Sequence, residues 1–203
     1  GGDQKEGDIV TTIEPTVERY LEKTLSQTND IWHPTEIGGV IMDPNTGEIV
    51  AMSSLPTFDP NNTAATKDIS IFSNPLVEHV YEMGSIMKPL TMAAALDSGA
   101  EKPDSTYDDT GCMTLNKKKI CNYDGRARGP ATPMQEILSQ SLNIGAATIA
   151  LKMGLSQYSD YFFKFGLGDK SGIDLPSEAS PLTKKMHAPT DIDVAVGAYG
   201  QGF

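Results

Sequence analysis

The stretch Tyr81–Thr91 reads "YEMGSIMKPLT". Ser85 follows Gly84, Lys88 comes three residues later, and Pro89 is next. A run of small and apolar residues continues it, "TMAAALDSGA", Thr91–Ala100. The pattern predicts a helix from about Ser85 to Ser98, closed by Gly99. Residues three apart on a helix share a face, so Lys88 would reach the Ser85 oxygen. A serine hydroxyl is a poor nucleophile until a base takes its proton. A lysine serves as that base only if burial or a second cation lowers its pKa. Met83, Met87 and the alanines would pack this helix into a core and partly desolvate Lys88. Ser85 would sit at the helix N-terminus, where backbone N–H groups and the helix dipole favour a developing oxyanion. Gly84 leaves space for a substrate to approach. Taken alone, Ser-x-x-Lys reads as a capping serine followed by a solvated lysine, a pattern that arises by chance about once in a chain of this length.

A second element changes that balance. "LSQSLNIGAA" holds Ser141-Leu142-Asn143, the only Ser-x-Asn in the chain. It lies between two predicted helices, residues 131–140 and 144–154, where a loop can present a hydroxyl and an amide. The hydroxyl could relay a proton to a leaving nitrogen, and the amide could hold a substrate carbonyl. Either residue by itself also reads as a helix cap.

Working outward, "IEPTVERYLEKTLSQ" predicts a helix over residues 14–27, with Pro15 in its first turn. "GVIM" and "IVAMS" read as the strands of a hairpin turning at "DPNTGE". Residues 56–75 are rich in Pro, Asn and Asp and read as loop. A further helix is predicted over residues 156–166, and the tail from Ser171 reads as mostly irregular. "CMTLNKKKIC" folds symmetrically about Asn116-Lys117, which sets Cys112 opposite Cys121. The pair would bridge in an oxidising compartment; the alternative is two free thiols in an unrelated loop.

Composition sets the outer limits. The chain has 203 residues, 38% of them hydrophobic, and a net charge of −11. That charge argues against a nucleic-acid partner, which requires a basic surface. No apolar run is long enough to span a membrane, and the polar stretch at residues 1–10 does not read as a signal peptide. Two cysteines and the histidines His33, His79 and His187 show no metal-ligand spacing.

Ser-x-x-Lys followed by Ser-x-Asn resembles the first two parts of the penicillin-binding protein and serine β-lactamase signature. The flanks are more specific. "GGVIMDPNTGEIVAMSSLPTFDPNN", "VYEMGSIMKPLT", "SLNIGAATIALKMG", "YFFKFGLGDKSGIDLPSE" and "GAYGQGF" resemble, in order, the transpeptidase domain of a class B penicillin-binding protein. The resemblance covers about Asp8 to Phe203; Met83 departs from the family's usual proline, which should alter the stiffness of the approach to Ser85 and not its role. It implies an α+β fold, a five-stranded antiparallel sheet flanked by helices with a helical subdomain. It implies a peptidoglycan D,D-transpeptidase in which Ser85 attacks the penultimate D-alanine carbonyl of a stem peptide. Lys88 would be the acylation base, Ser141 the proton shuttle, and Asn143 would orient Lys88 and the substrate amide. β-Lactams would acylate Ser85 and stall there, and no metal or organic cofactor is implied. The location implied is the extracytoplasmic face of a bacterial membrane, with an anchor outside this chain and with cell-division or elongation membrane proteins as partners.

The family's third motif is Lys-Thr-Gly or Lys-Ser-Gly on a strand walling the site. "KSG", Lys170–Gly172, lies inside a segment that matches a different part of the family, and Pro176 follows closely, which is wrong for a central strand. Residues 1–203 are therefore expected to be the N-terminal portion of the domain, with the third-motif strand and later sheet strands beyond Phe203. Two other readings are a penicillin-recognising sensor domain and a non-catalytic scaffold of a cell-wall complex. The flanking matches disfavour the first, and the retained set Ser85, Lys88, Ser141 and Asn143 disfavours the second.

Overall fold

The structure, a computed structural model, describes residues 7–203; part of the polar N-terminal run lies outside them. The chain divides into two compact units, one made of residues up to His79 with Leu175–Glu178, the other of Val80–Asp174 and Ala179–Phe203. No helix among the described residues is long and apolar enough to cross a membrane.

In the first unit helix α1 spans Pro15–Trp32, five residues beyond the predicted end at Gln27. Pro15 needs no hydrogen-bond acceptor at the helix start, and the Glu14 side chain accepts from Thr16 N–H at 3.3 Å. The helix stops where His33 turns left-handed, at φ 45°. Strands β1 (Ile37–Met42) and β2 (Ile49–Leu55) form the expected antiparallel hairpin, with Ile37 opposite Leu55. Successive strand residues face opposite ways. A side chain on Gly38 would meet Leu76, and one on Gly39 would meet Leu21 of α1, so this glycine pair lets elements approach both faces of β1. Glu18 of α1 accepts a hydrogen bond from Met52 N–H at 2.8 Å, which ties helix to strand. The expected loop over residues 56–75 contains two short 3-10 turns, Thr63–Ala65 and Ile69–Phe72. It runs into a single-turn helix, α2 (Pro75–Glu78), capped by the Asn74 side chain.

The second unit is built around a largely buried helix. Helix α5 (Asn143–Met153) has Ile144, Ala146, Ala147, Ile149 and Ala150 fully buried. Its small residues let neighbouring backbones come close, and a helix this apolar belongs in a core, with Lys152 at its exposed end. Packed in the same core are α3 (Lys88–Asp97), through Ala94 and Ala95, and α7 (Asp191–Gly197), through Val194 and Ala195. Helix α6 (Leu155–Lys164) adds Tyr158 and Phe162.

Four expectations need correction here. The helix predicted from Ser85 begins as a 3-10 turn, Gly84–Met87, and becomes α-helical only at Lys88. Pro89 has no N–H to give the Ser85 carbonyl, so Lys88 N–H takes that carbonyl in a shorter bond. The helix predicted over residues 131–140 is helical only at α4 (Glu136–Ser139). Its first half is strand β6 (Gly129–Pro133), paired antiparallel with β3 (Thr106–Asp109), a strand not predicted at all. Lastly, the tail contains α7, started by a capping box in which Thr190 and Asp193 bond each other's backbone.

The cysteine hairpin has the expected register. Strands β4 (Cys112–Leu115) and β5 (Lys118–Cys121) pair Cys112 with Cys121 and Leu115 with Lys118. Asn116 and Lys117 both take positive φ, 46° and 65°, the geometry of a two-residue hairpin turn. The two cysteines form a disulfide, with Cα atoms 4.0 Å apart.

Candidate active site

The 3-10 turn brings Ser85 and Lys88 together. At three residues per turn, side chains at i and i+3 eclipse, whereas in an α-helix they share a face but are offset around the axis. Lys88 Nζ lies 3.1 Å from Ser85 Oγ. Ser85 is exposed, while Lys88 is only 2% exposed, so a reachable hydroxyl stands over a buried amine.

The Ser141–Asn143 loop closes on the same amine. Lys88 Nζ is 2.7 Å from the Ser141 carbonyl oxygen, 2.9 Å from Ser141 Oγ and 2.8 Å from Asn143 Oδ1. Ser141 presents both of its oxygens because its backbone is left-handed, at φ 54°, a conformation costing a non-glycine residue roughly 1–2 kcal/mol. Ser141 Oγ in turn donates to Ser85 Oγ at 2.9 Å. All four sequence-predicted residues, Ser85, Lys88, Ser141 and Asn143, therefore meet in one hydrogen-bonded cluster.

The cluster accommodates Lys88 either as an ammonium or as the free base. An ammonium has three N–H donors, and the amine faces four oxygens. The Ser141 carbonyl and Asn143 Oδ1 can only accept. A neutral amine gives its two N–H groups to them and turns its lone pair to the Ser85 hydroxyl. The Ser141 hydroxyl then donates to Ser85 Oγ, and in the ammonium form the third N–H goes to Ser141 Oγ at 2.9 Å. All four oxygens are uncharged, so no anion offsets desolvation, and burial lowers the Lys88 pKa to about 8.

Residues not singled out in the sequence hold the cluster in place. The Asn143 amide is oriented by Nδ2 donating to the Cys121 carbonyl at 3.0 Å, which turns its oxygen toward Lys88. Gly84, at φ 63°, donates its N–H to the Gly200 carbonyl at 2.9 Å. The two backbones are so close that a Cβ on Gly200 would overlap Gly84. Gly202 N–H donates to Glu82 Oε1 at 2.9 Å, and Thr91 Oγ1 to the Ala198 carbonyl at 2.9 Å. "GAYGQGF" thus braces the turn that carries Ser85; its glycines were the available signal, but long-range backbone pairing leaves no local pattern. Met83 has φ −67°, a value proline also takes, so the backbone here would accept the family's usual proline. Lys170–Gly172 lies in irregular chain after α6 and not on a strand. Among the described residues no group of three or more His, Cys, Asp or Glu side chains could hold a metal ion.

Comparison with known proteins identifies the family. The family model "Penicillin binding protein transpeptidase domain" matches residues 37–203. Stage V sporulation protein D of Bacillus subtilis is 31% identical over 198 residues, covering 96% of this chain and 30% of that protein. The probable peptidoglycan D,D-transpeptidase FtsI of Caulobacter vibrioides is 32% identical over 198 residues, covering 97% of this chain and 33% of that protein. Penicillin-binding protein 3 of Mycobacterium tuberculosis, in its crystal structure with aztreonam, superposes with a TM-score of 0.86 at 25% identity, covering 96% of this chain and 43% of that one. The chain therefore spans about a third of the length of the curated relatives it matches. With the fold, the clustered motif residues and a family match over most of its length in agreement, this α+β chain belongs to the penicillin-binding protein transpeptidase domain family.

Proposed function

We propose that the protein carrying this chain is a serine D,D-transpeptidase that cross-links peptidoglycan stem peptides and is acylated by β-lactams. The observation that carries this reading is the exposed Ser85 hydroxyl directed at a buried Lys88 whose pKa burial lowers to about 8. Lys88 takes the Ser85 proton as Oγ bonds the penultimate D-alanine carbonyl carbon. The tetrahedral intermediate collapses, the C–N bond breaks, and the departing D-alanine nitrogen receives a proton through the Ser141 hydroxyl. The amine of a second stem peptide then attacks the acyl-enzyme, gives up a proton along the same path and frees Ser85. Asn143 keeps the Lys88 lone pair aimed. The N–H of Ser85, at the start of the turn leading into α3, is one oxyanion donor.

The second donor and the cation of the third motif come from a strand outside residues 1–203, which form the N-terminal part of the domain. The reaction takes place on the outer side of the cytoplasmic membrane, held there by an anchor outside this chain and alongside division or elongation membrane proteins. The test is D-alanine release from a peptide ending in D-Ala-D-Ala, with a D-amino acid as acceptor. The full-length protein is expected to release D-alanine and form the new amide. Residues 1–203 alone are expected to react at least about 10²-fold more slowly, as for loss of one oxyanion donor. Equal rates for the two, with the short chain's activity lost on Lys170→Ala, would make "KSG" the third motif and refute the domain reading.

A further inference from the structure

We propose that Asn122 is a positioning residue for the catalytic cluster, holding the first turn of α5, and with it Asn143, against Lys88. Asn122 touches none of the reacting groups. It is the residue after Cys121, whose carbonyl orients Asn143, and its Oδ1 accepts Ile144 N–H at 3.0 Å. Two adjacent residues of the disulfide hairpin thus grip two adjacent residues at the start of α5. One grip sets the Asn143 amide; the other fixes the backbone that carries it.

The amide of Asn122 is itself locked. The side chain is 3% exposed, and every group on it is matched. Nδ2 donates to Asp109 Oδ1 and Oδ2 at 2.9 and 3.1 Å, and to the Arg126 carbonyl at 3.1 Å. Its backbone N–H donates to the Gly111 carbonyl at 2.8 Å. A flipped amide would set Nδ2 against the Ile144 N–H and its oxygen against a carboxylate, so one orientation survives. Asp109 is fully buried, and its Oδ1 also accepts Gly111 N–H at 2.8 Å. The other titratable groups acting here are the Tyr107 hydroxyl, 3.5 Å from Asp109 Oδ2, and Arg128, whose charge is coupled to Asp109. A hydrogen-bonded line therefore runs from Asp109 through Asn122 and the α5 first turn to Asn143 and Lys88. Polar side chains buried this completely are costly unless each group is paired, and a fully paired network fixes one geometry.

The inference rests on the proposed acylation of Ser85, so the test uses the full-length protein with unchanged and Ser85→Ala forms as controls. If the unchanged protein fails to acylate with a fluorescent penicillin, that reading fails before this one is reached. Asn122→Asp keeps the acceptor for Ile144 N–H but sets a second carboxylate against Asp109. It is expected to acylate about 10²-fold more slowly at pH 9, the scale of a small misplacement of a catalytic group. Its rate relative to the unchanged protein should recover as pH falls to 6, because like-charged carboxyls share a proton and the shared O–H replaces the lost donor. The exchanged pair Asp109→Asn/Asn122→Asp restores the donor–acceptor bond between the two positions, though it leaves the Arg126 carbonyl without its donor, and should return to within about tenfold of the unchanged rate; it also carries the test if the single variant does not fold. A ratio flat across pH would mark a packing role only and overturn the proposal. So would a folded exchanged pair that stays as slow as the single variant.

Discussion

Replacing Lys88 with alanine in the full-length protein is expected to lower penicillin acylation at pH 8 by about 10³-fold, within the usual range for a general base. The amine lies 3.1 Å from the nucleophile and is the one basic group in the cluster. The unchanged protein should show the matching pH dependence. Burial has brought the Lys88 pKa down to about 8, so acylation should fall about tenfold per pH unit below that value and level off above it. An ordinary lysine would place that break more than two units higher. The sign follows from the active form: lowering pH protonates Lys88, and the ammonium has no lone pair for the Ser85 proton. The fold should survive the substitution. Removing the amine leaves the Ser141 carbonyl and Asn143 Oδ1 short of a donor, but it also removes a desolvated cation. A stopped-flow pH–rate profile for the two proteins checks both parts. An alanine variant within tenfold of the unchanged rate would refute the role assigned to Lys88.

The second large effect is expected at Gly200, far from Ser85 in sequence. Gly200→Ala adds a Cβ where the Gly84 backbone already sits, on a residue at φ 81°. The left-handed conformation alone costs roughly 1–2 kcal/mol. Separating two hydrogen-bonded backbones adds to it, and a total above about 3 kcal/mol is expected, in the range of strain at special backbone positions. Because Gly84 immediately precedes Ser85, the nucleophile shifts with it, and acylation should drop by about 10²-fold even where the variant is folded. Gly99→Ala is the comparison. Gly99 has φ 73° with nothing near its missing Cβ, so that variant should lose only about 1 kcal/mol. Denaturant unfolding of the pair separates the collision from the backbone strain, and equal losses would dismiss the collision.

The chemistry of the site was more legible in the sequence than the scaffold that holds it. Ser85 and Lys88 are a local pair, and local spacing predicts their meeting whether the turn is α or 3-10. The 3-10 form itself could have been inferred from Pro89, which deletes the bond an α-helix would draw back to Ser85. The Cys112–Cys121 register followed from symmetry about Asn116-Lys117 for a similar reason. Strand β3 escaped because its buried positions are Tyr107 and Asp109, and a buried aspartate looks like a turn residue until Asn122 is seen beside it. Helix α7 escaped although Thr190 and Asp193 spell a capping box, since its seven residues are too few for a clear apolar period. The contacts of Asn143 with Cys121, of Ile144 with Asn122, and of Gly84 with Gly200 join distant parts of the chain. Pairings of that kind arise only when the elements pack, and one sequence carries no trace of them.

The central claim is that Ser85 is the atom donor to the acyl bond. Treating the full-length protein with a penicillin, digesting it and mapping the added mass tests this most directly. The account predicts one adduct, on the peptide containing "GSIMKPLT", at Ser85 Oγ, and none in the Ser85→Ala variant. An adduct on any other residue, or one that persists in Ser85→Ala, would contradict it.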